Sequence, residues 1–256
     1  MERLQDHPGP VVLVFSLLFR VVHRLLQNLP VPKVVRADDF RAWKWRNLSV
    51  SMVHSLLTAA WALSCVMIWP ETIYNIYSFY RPLSYILICL STGYFVQDAL
   101  DIILSGYAKG SWEFLAHHAL VLVSFSYTLY SKLYVSGAVV ALFVEFNSLT
   151  LHARLMMKMS GVQDSPAYRI NKVLNLLTFV GFRLVAQAYL TWYIVHHYET
   201  MRNSGFFLSC MVTIDAMILG YFYRLLRADF FPRAKRPDGA VLNGTHTGKT
   251  QKFLTD

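Results

Sequence analysis

Seven stretches of this chain are apolar over about the twenty residues a helix needs to cross hydrocarbon, and that repeated pattern leaves few folds open. The clearest is Leu48–Trp69, which holds no Asp, Glu, Lys or Arg. Leu83–Leu104, Phe114–Ser131, Leu133–Met157, Val173–Val195 and Phe206–Tyr223 follow it, and Val11–Leu29 is interrupted by Arg20, His23 and Arg24. Composition agrees: 55% of residues are apolar and 15% charged, against about 25% charged in soluble domains. The expected fold is all-α, a polytopic transmembrane helical bundle of about seven spans around a membrane-embedded cavity.

Charge sets the expected topology. With seven spans, nineteen of the 24 Lys and Arg residues fall on one side: the stretch Arg20–Arg46, Lys109, the Arg154–Lys172 connection and the tail from Arg224. Arg3, Arg81, Lys132 and Arg202 fall on the other. The positive-inside rule therefore puts the N-terminus outside and the C-terminus in the cytosol. A secretory leader is the other reading of Val11–Phe19, but its flank is mixed in charge (Glu2, Arg3, Asp6) and no small-residue cleavage pattern precedes Pro30. Trp43, Trp45, Trp69, Trp112 and Trp192 lie near span ends, where indole favours the headgroup layer. The sequons at Asn47 and Asn243 are cytosolic in this topology and are expected to be silent. Residues 233–256 read as a disordered cytosolic tail. The last residues, Phe253-Leu254-Thr255-Asp256, carry neither a KDEL-type nor a dilysine retrieval signal, which permits residence beyond the endoplasmic reticulum.

Several functions lack their signatures. Cys65, Cys89 and Cys210 all sit in apolar runs and read as core filler, without disulfide or metal spacing. The net charge of +9 clusters beside the apolar segments instead of forming one long stripe, so it does not point to nucleic acid. No phosphate-binding loop, dinucleotide fingerprint or nucleophile elbow is present. No cofactor or metal is expected.

Asp98, Asp101, His117, His118, Glu145, Arg183 and Asp215 lie inside the apolar runs. A charge in hydrocarbon costs at least ~2.5–3.5 kcal/mol, so such groups mark a polar interior. At a rise of ~1.5 Å per residue, Asp98 and Asp101 come out roughly 5–9 Å from the cytosolic end of the third span. His117 and His118 lie at the same depth on the fourth, and the short connection Ser105–Ser111 makes the two helices antiparallel neighbours. Two carboxylates and two imidazoles are thus expected in one layer, with one histidine facing the cavity and its neighbour bonding an adjacent helix. Glu145, Arg183 and Asp215 come out deeper, roughly 12–15 Å in. For Arg183 a structural ion pair with Glu145 or Asp215 stands level with a ligand-contacting role. Asn147, Asn175 and Gln187 read as helix-joining polar groups, and His152 and Arg154 as side chains snorkelling to the interface.

Three segments give the chain a resemblance. They are Trp43-Lys44-Trp45-Arg46-Asn47 leading into Ser51-Met52-Val53-His54-Ser55; Gly93-Tyr94-Phe95-Val96-Gln97-Asp98; and Trp112-Glu113-Phe114-Leu115-Ala116-His117-His118. Over roughly 37–232 the sequence resembles the TLC-domain family, which includes the translocon-associated membrane proteins and the ceramide synthases. The resemblance implies a six-helix core domain over 37–232, preceded by a membrane helix and basic linker over 1–36. In the synthases the motif implies acyl transfer to a sphingoid base, with paired histidines on one helix and a His-Asp block on the next. His117 and His118 match the pair and are the candidate catalytic residues. Val144-Glu145-Phe146-Asn147-Ser148 stands where the second block belongs, without its histidine and with Glu in place of an aspartate, so the synthase reaction is not implied.

The nearer branch, similar also through Arg169-Ile170-Asn171-Lys172 and Gln187-Ala188-Tyr189-Leu190-Thr191, implies regulation of plasma-membrane phospholipid composition and fluidity. It implies limits on incorporation of polyunsaturated acyl chains, with the endoplasmic reticulum as the other location. Asp98, Asp101, His117, His118, Glu145, Arg183 and Asp215 are then the lipid-binding candidates. The two aspartates are expected on an ethanolamine-like amine and Arg183 on phosphate or carboxyl. The partners expected are membrane lipids, phospholipid or acyl chain. An acyl- or lipid-transferase, or an auxiliary regulator with a membrane-protein partner such as a channel, are the alternatives.

Overall fold

The computed structural model describes residues 7–28 and 30–230. The expected tail over 233–256, the sequon at Asn243 and the charges at Glu2, Arg3 and Asp6 lie outside the described residues. Among those described, the regular structure is helical throughout. The order is α1 (Pro8–Gln27), α2 (Lys33–Arg36), α3 (Asp39–Ile68), α4 (Glu71–Tyr74), α5 (Pro82–Leu104), α6 (Trp112–Ser131), α7 (Val135–Ala141), α8 (Val144–Met159), α9 (Pro166–Thr178), α10 (Val185–His196) and α11 (Ser204–Phe230). A π-helical stretch, Phe179–Leu184, makes α9 and α10 one continuous span.

Local chemistry sets the ends. Pro8, Pro82 and Pro166 open α1, α5 and α9 at first-turn positions, where a missing N–H costs nothing. Asp38 caps α3 by accepting from the Arg41 N–H at 2.9 Å, and Ser165 caps α9 by accepting from the Tyr168 N–H at 3.2 Å. α5 stops at Gly106, whose φ of +80° is left-handed backbone that glycine adopts without strain. Its N–H donates to the Ile103 carbonyl at 3.1 Å and that of Tyr107 to the Ile102 carbonyl at 3.2 Å, a Schellman closure. The chain thereby reverses within seven residues of Leu104 and delivers α6 alongside α5.

Six segments are long and apolar enough to cross a membrane: Pro8–Gln27, Asp39–Ile68, Pro82–Leu104, Val135–Met159, Pro166–His196 and Ser204–Asp229. α6 has the length, 20 residues, with Glu113, His117 and His118 diluting its apolar content. All seven expected stretches are therefore largely helical over their described residues, and the chain is a polytopic helical bundle. Two are less regular than expected. The Leu133–Met157 stretch is two helices, α7 and α8, joined by a turn at Leu142 and Phe143. There the bonding tightens to i→i+3, with the Glu145 N–H donating to the Leu142 carbonyl at 3.0 Å and that of Phe146 to Phe143 at 3.1 Å. The Val173–Val195 stretch carries the π segment. Irregular backbone at this depth is tolerated where it lines a cavity, and both breaks do so, through Leu142, Val144, Phe179 and Arg183.

The helices pack as a ring. α5 contacts α3, α3 contacts α8, α8 contacts α9, α10 contacts α11, and α6 returns to α5. The seam between α6 and α11 is the most sparsely contacted of these. α1 stands outside the ring against α5 and α3, with Leu13, Val14, Leu17, Leu18, Val21 and Leu25 exposed on the face that meets lipid. Its approach to α5 requires Gly93. A Cβ there would lie 2.7 Å from Phe15 Cβ and 2.8 Å from both Ser16 N and the Val12 carbonyl oxygen.

Two of those three neighbours are backbone atoms, which cannot rotate away. Gly93→Ala is expected to destabilise the protein by ~1–3 kcal/mol. The fall should appear in the melting temperature of the detergent-purified protein, and an unchanged melting curve would contradict this packing.

Candidate functional site

The expected four-membered layer divides in two, because Asp98 and Asp101, i and i+3 on α5, share α3 but otherwise turn to different helices, Asp98 to α6 and Asp101 to α1. Asp98 is buried, 2% exposed, between α3 and α6. Its Oδ1 accepts from the Asn47 amide at 2.6 Å, and its Oδ2 lies 2.9 Å from His118 Nε2. The other imidazole nitrogen, Nδ1, sits 2.6 Å from the Phe114 carbonyl oxygen. Both nitrogens of His118 thus face oxygen acceptors, an arrangement that needs a proton on each nitrogen or one shared with Asp98. Asp101 instead faces α1 and the first turns of α3. It accepts from Trp43 Nε1 at 3.0 Å and lies 3.4 Å from both Arg20 Nη1 and His23 Nδ1.

A cavity of about 270 Å³ occupies the centre of the ring. His117, His118, Glu145 and Arg183 line it, together with Gln187 and the expected snorkellers His152 and Arg154. Asp98, Asp101 and Asp215 do not. This corrects the expectation that both aspartates of α5 offer their carboxylates to a bound amine, since protein donors occupy both. Asp215 is half-buried and accepts from Thr191 Oγ1 at 2.8 Å, so it joins α11 to α10. The paired histidines divide as expected: His118 bonds within the protein. His117, half-buried, has no hydrogen-bond partner among the described residues and meets the rings of Phe95 and His118 at 6.5 and 6.0 Å.

Glu145 enters the cavity wall just after the α7–α8 break. Ser55 donates to its Oε2 at 2.5 Å, and His54 Nδ1 lies 3.9 Å away. His54 is held by stacking on Tyr94, ring centroids 3.8 Å apart, and by Ser91 Oγ at 3.0 Å from its Nε2. Arg183 projects from the π segment opposite. Its Nη2 donates to Ser148 Oγ at 3.1 Å, and the guanidinium lies 5.5 Å from the Phe179 ring centroid. Among the described residues no carboxylate comes within 4 Å of it, and its Nε has no partner. The ion pair expected of Arg183 with Glu145 or Asp215 is not formed. His152 Nδ1, Ser124 Oγ and the Tyr221 hydroxyl, also on the wall, are buried and likewise unpartnered among the described residues.

Arg154 does not snorkel. It makes a two-pronged ion pair with Asp229 of α11, both side chains 6% exposed, and Tyr168 lies under the guanidinium. The fork ties α8 to α11 where both helices end. Asn147 and Asn175 do join helices, the Asn147 amide donating to Asn175 Oδ1 at 3.1 Å and to Thr178 Oγ1 at 3.2 Å. Charge counting overlooked a polar stripe on α3 that reaches the cavity at Ser55. Asn47, Ser51, His54, Ser55 and Thr58 are all buried and recur at three- and four-residue steps. That periodic polar stripe in an otherwise apolar span is the signal that finds it. Asn47, the sequon residue, spends its amide on Asp98.

The arrangement recognises charge and apolar bulk better than it organises proton transfer. A general base needs a nitrogen facing substrate and a partner that orients the ring. His118 has the partner and no free nitrogen, whereas His117 has free nitrogens and no carboxylate within ion-pairing distance among the described residues. No group of three or more His, Cys, Asp or Glu among those residues could hold a metal ion.

The buried contact at Asp98 carries a stability consequence. Removing one partner of such a pair leaves the other charged group buried, so Asp98→Ala is expected to cost ~3–5 kcal/mol. Combining it with His118→Leu should recover part of that loss, a non-additivity measurable by a double-mutant cycle in detergent. Strictly additive effects would contradict the pairing.

Comparison with known proteins shows similarity along most of the chain. The TLC domain sequence profile matches residues 44–227. The chain is 41% identical over 259 residues to human TLC domain-containing protein 1, covering all of both chains. The rat protein of the same name is 40% identical over 88% of this chain and 92% of its own. TLC domain-containing protein 2 of Danio rerio is 34% identical over 86% of this chain and 89% of its own.

Proposed function

Because the chain belongs to the TLC-domain family, we propose that it holds a lipid in its central cavity and thereby regulates the phospholipid composition and fluidity of the plasma membrane. In this reading it limits incorporation of polyunsaturated acyl chains into phospholipids. The N-terminus lies outside and the C-terminus in the cytosol in this reading, so the part of the cavity lined by Arg154, Lys158 and Arg224 faces the inner leaflet.

One observation carries the reading: a guanidinium without a carboxylate partner stands at membrane depth in the wall of a cavity that is otherwise largely apolar. Phe95, Phe125, Leu151, Met211, Ile214 and Ile218 supply bulk for an acyl chain. Arg183, with His152 and Tyr221 nearby on the wall, supplies donors for an anionic head group. Phosphate geometry suits a guanidinium fork. The head group is thus read by the cations of the wall rather than by Asp98 and Asp101.

The transferase alternative draws on His117, whose imidazole is unpartnered on the cavity wall. The two readings separate by variant. Arg183→Gln is expected to abolish the effect on cellular phospholipid acyl composition while the protein remains inserted, as measured by lipid mass spectrometry of cells expressing it. His117→Ala should leave that effect largely intact. An unchanged profile with Arg183→Gln would overturn the lipid-binding reading, and loss with His117→Ala accompanied by turnover of acyl-CoA would favour transfer chemistry.

A further inference from the structure

Outside the cavity, the sparse seam between α6 and α11 opens into a second apolar space of about 740 Å³. Every residue around it belongs to those two helices. Ala116, Ala119 and Val123 line it from α6, and Thr213, Ala216 and Gly220 from α11. The small side chains leave the room: a Cβ built on Gly220 meets no atom within 4 Å. Its two ends are tied. Arg224 makes a two-pronged pair with Glu113, both contacts 2.8 Å, and Asn203, just before α11, donates to the Tyr127 hydroxyl at 2.8 Å. α6 and α11 stay in contact along the seam, so a helix about 10 Å across does not fit between them. A single hydrocarbon chain does.

The crevice and the cavity share three wall residues, Met217, Tyr221 and Arg224. Met217, Tyr221 and Arg224 of α11 thus border both apolar compartments, and there the Arg224 guanidinium, paired with Glu113, lies 5.5 Å from the centroid of the Tyr221 ring while the Tyr221 hydroxyl is unpartnered among the described residues. From this geometry we infer that the ligand is a two-chain glycerophospholipid straddling α11. One acyl chain lies in the cavity, the other lies in the α6–α11 crevice, and the phosphate sits at the junction near Tyr221 and Arg183. The inference rests on the lipid-binding reading above and sharpens it, because a one-chain lipid would leave the crevice unused.

The test holds the head group constant and varies the chains. The purified full-length protein is equilibrated in detergent with dioleoyl phosphatidylcholine or with monooleoyl lysophosphatidylcholine, and retained lipid is counted by native mass spectrometry. The wild-type protein is expected to retain the two-chain lipid about tenfold more than the one-chain lipid. Gly220→Leu, which fills the crevice without meeting protein atoms at its Cβ, should reduce the two-chain lipid to the one-chain level and leave the one-chain lipid unchanged. Ala119→Leu, from the opposite wall, should do the same, and melting curves verify that both variants fold. Equal wild-type retention of the two lipids, or undiminished two-chain binding in both variants, overturns the inference. Equal loss of both lipids also overturns it, by making the crevice an entrance instead of a chain site. Retention of neither lipid by the wild type overturns the inference together with the lipid-binding reading. Arg183→Gln isolates that reading, since it should lower both lipids alike.

Discussion

Asp98 is the point on which the interior turns. Its carboxylate takes the Asn47 amide of α3 on one oxygen and faces His118 of α6 on the other, so one side chain of α5 fixes three helices of the ring at one depth. In hydrocarbon an unpaired carboxylate finds no water to relax into, and the cost of separating these groups is correspondingly large. The consequence extends to its neighbour in sequence. With His118 turned inward to Asp98, the adjacent His117 is directed to the cavity wall by the helical step between them.

The cavity itself is maintained by breaks in regular structure. The i→i+3 tightening after α7 introduces Glu145 to the wall, and the π stretch between α9 and α10 introduces Arg183. π segments inside α-helices recur at functional sites because the extra residue per turn re-aims side chains that a regular helix would direct elsewhere. Glu145 and Arg183 do not meet as an ion pair. Ser55 holds the carboxylate and Ser148 the guanidinium, so the two are not in ion-pair contact, and the wall keeps a cation whose Nε is unpartnered among the described residues.

Much of this architecture was legible in the sequence. Apolar run length located the long helices among the described residues, including the six that are long and apolar enough to cross a membrane. The short Ser105–Ser111 connection correctly set α5 against α6, and the adjacency of His117 and His118 correctly implied that they point apart. The division of Asp98 from Asp101 was not legible. Their i, i+3 spacing puts them on one broad face, and only the position of α1 decides that the second aspartate is claimed by Arg20 and His23, beside Trp43 of α3. Arg154 was misplaced for a related reason. Its partner Asp229 lies 75 residues away, and sequence distance carries no sign of a contact made by two helix ends. The stripe on α3 was present throughout and escaped notice because none of its members is formally charged.

The docking of α1 bears on where this protein can be cut. The family match begins at residue 44, yet α1 is seated on α5 through the backbone groove at Gly93 and through the charges gathered on Asp101. A version trimmed to the matched boundary would uncover that groove to lipid and remove Arg20, His23 and Trp43 alike, leaving Asp101 without any of these donors. The packed unit is therefore larger than the residues 44–227 that the family profile matches, and α1 acts as an outer buttress for α5 and α3.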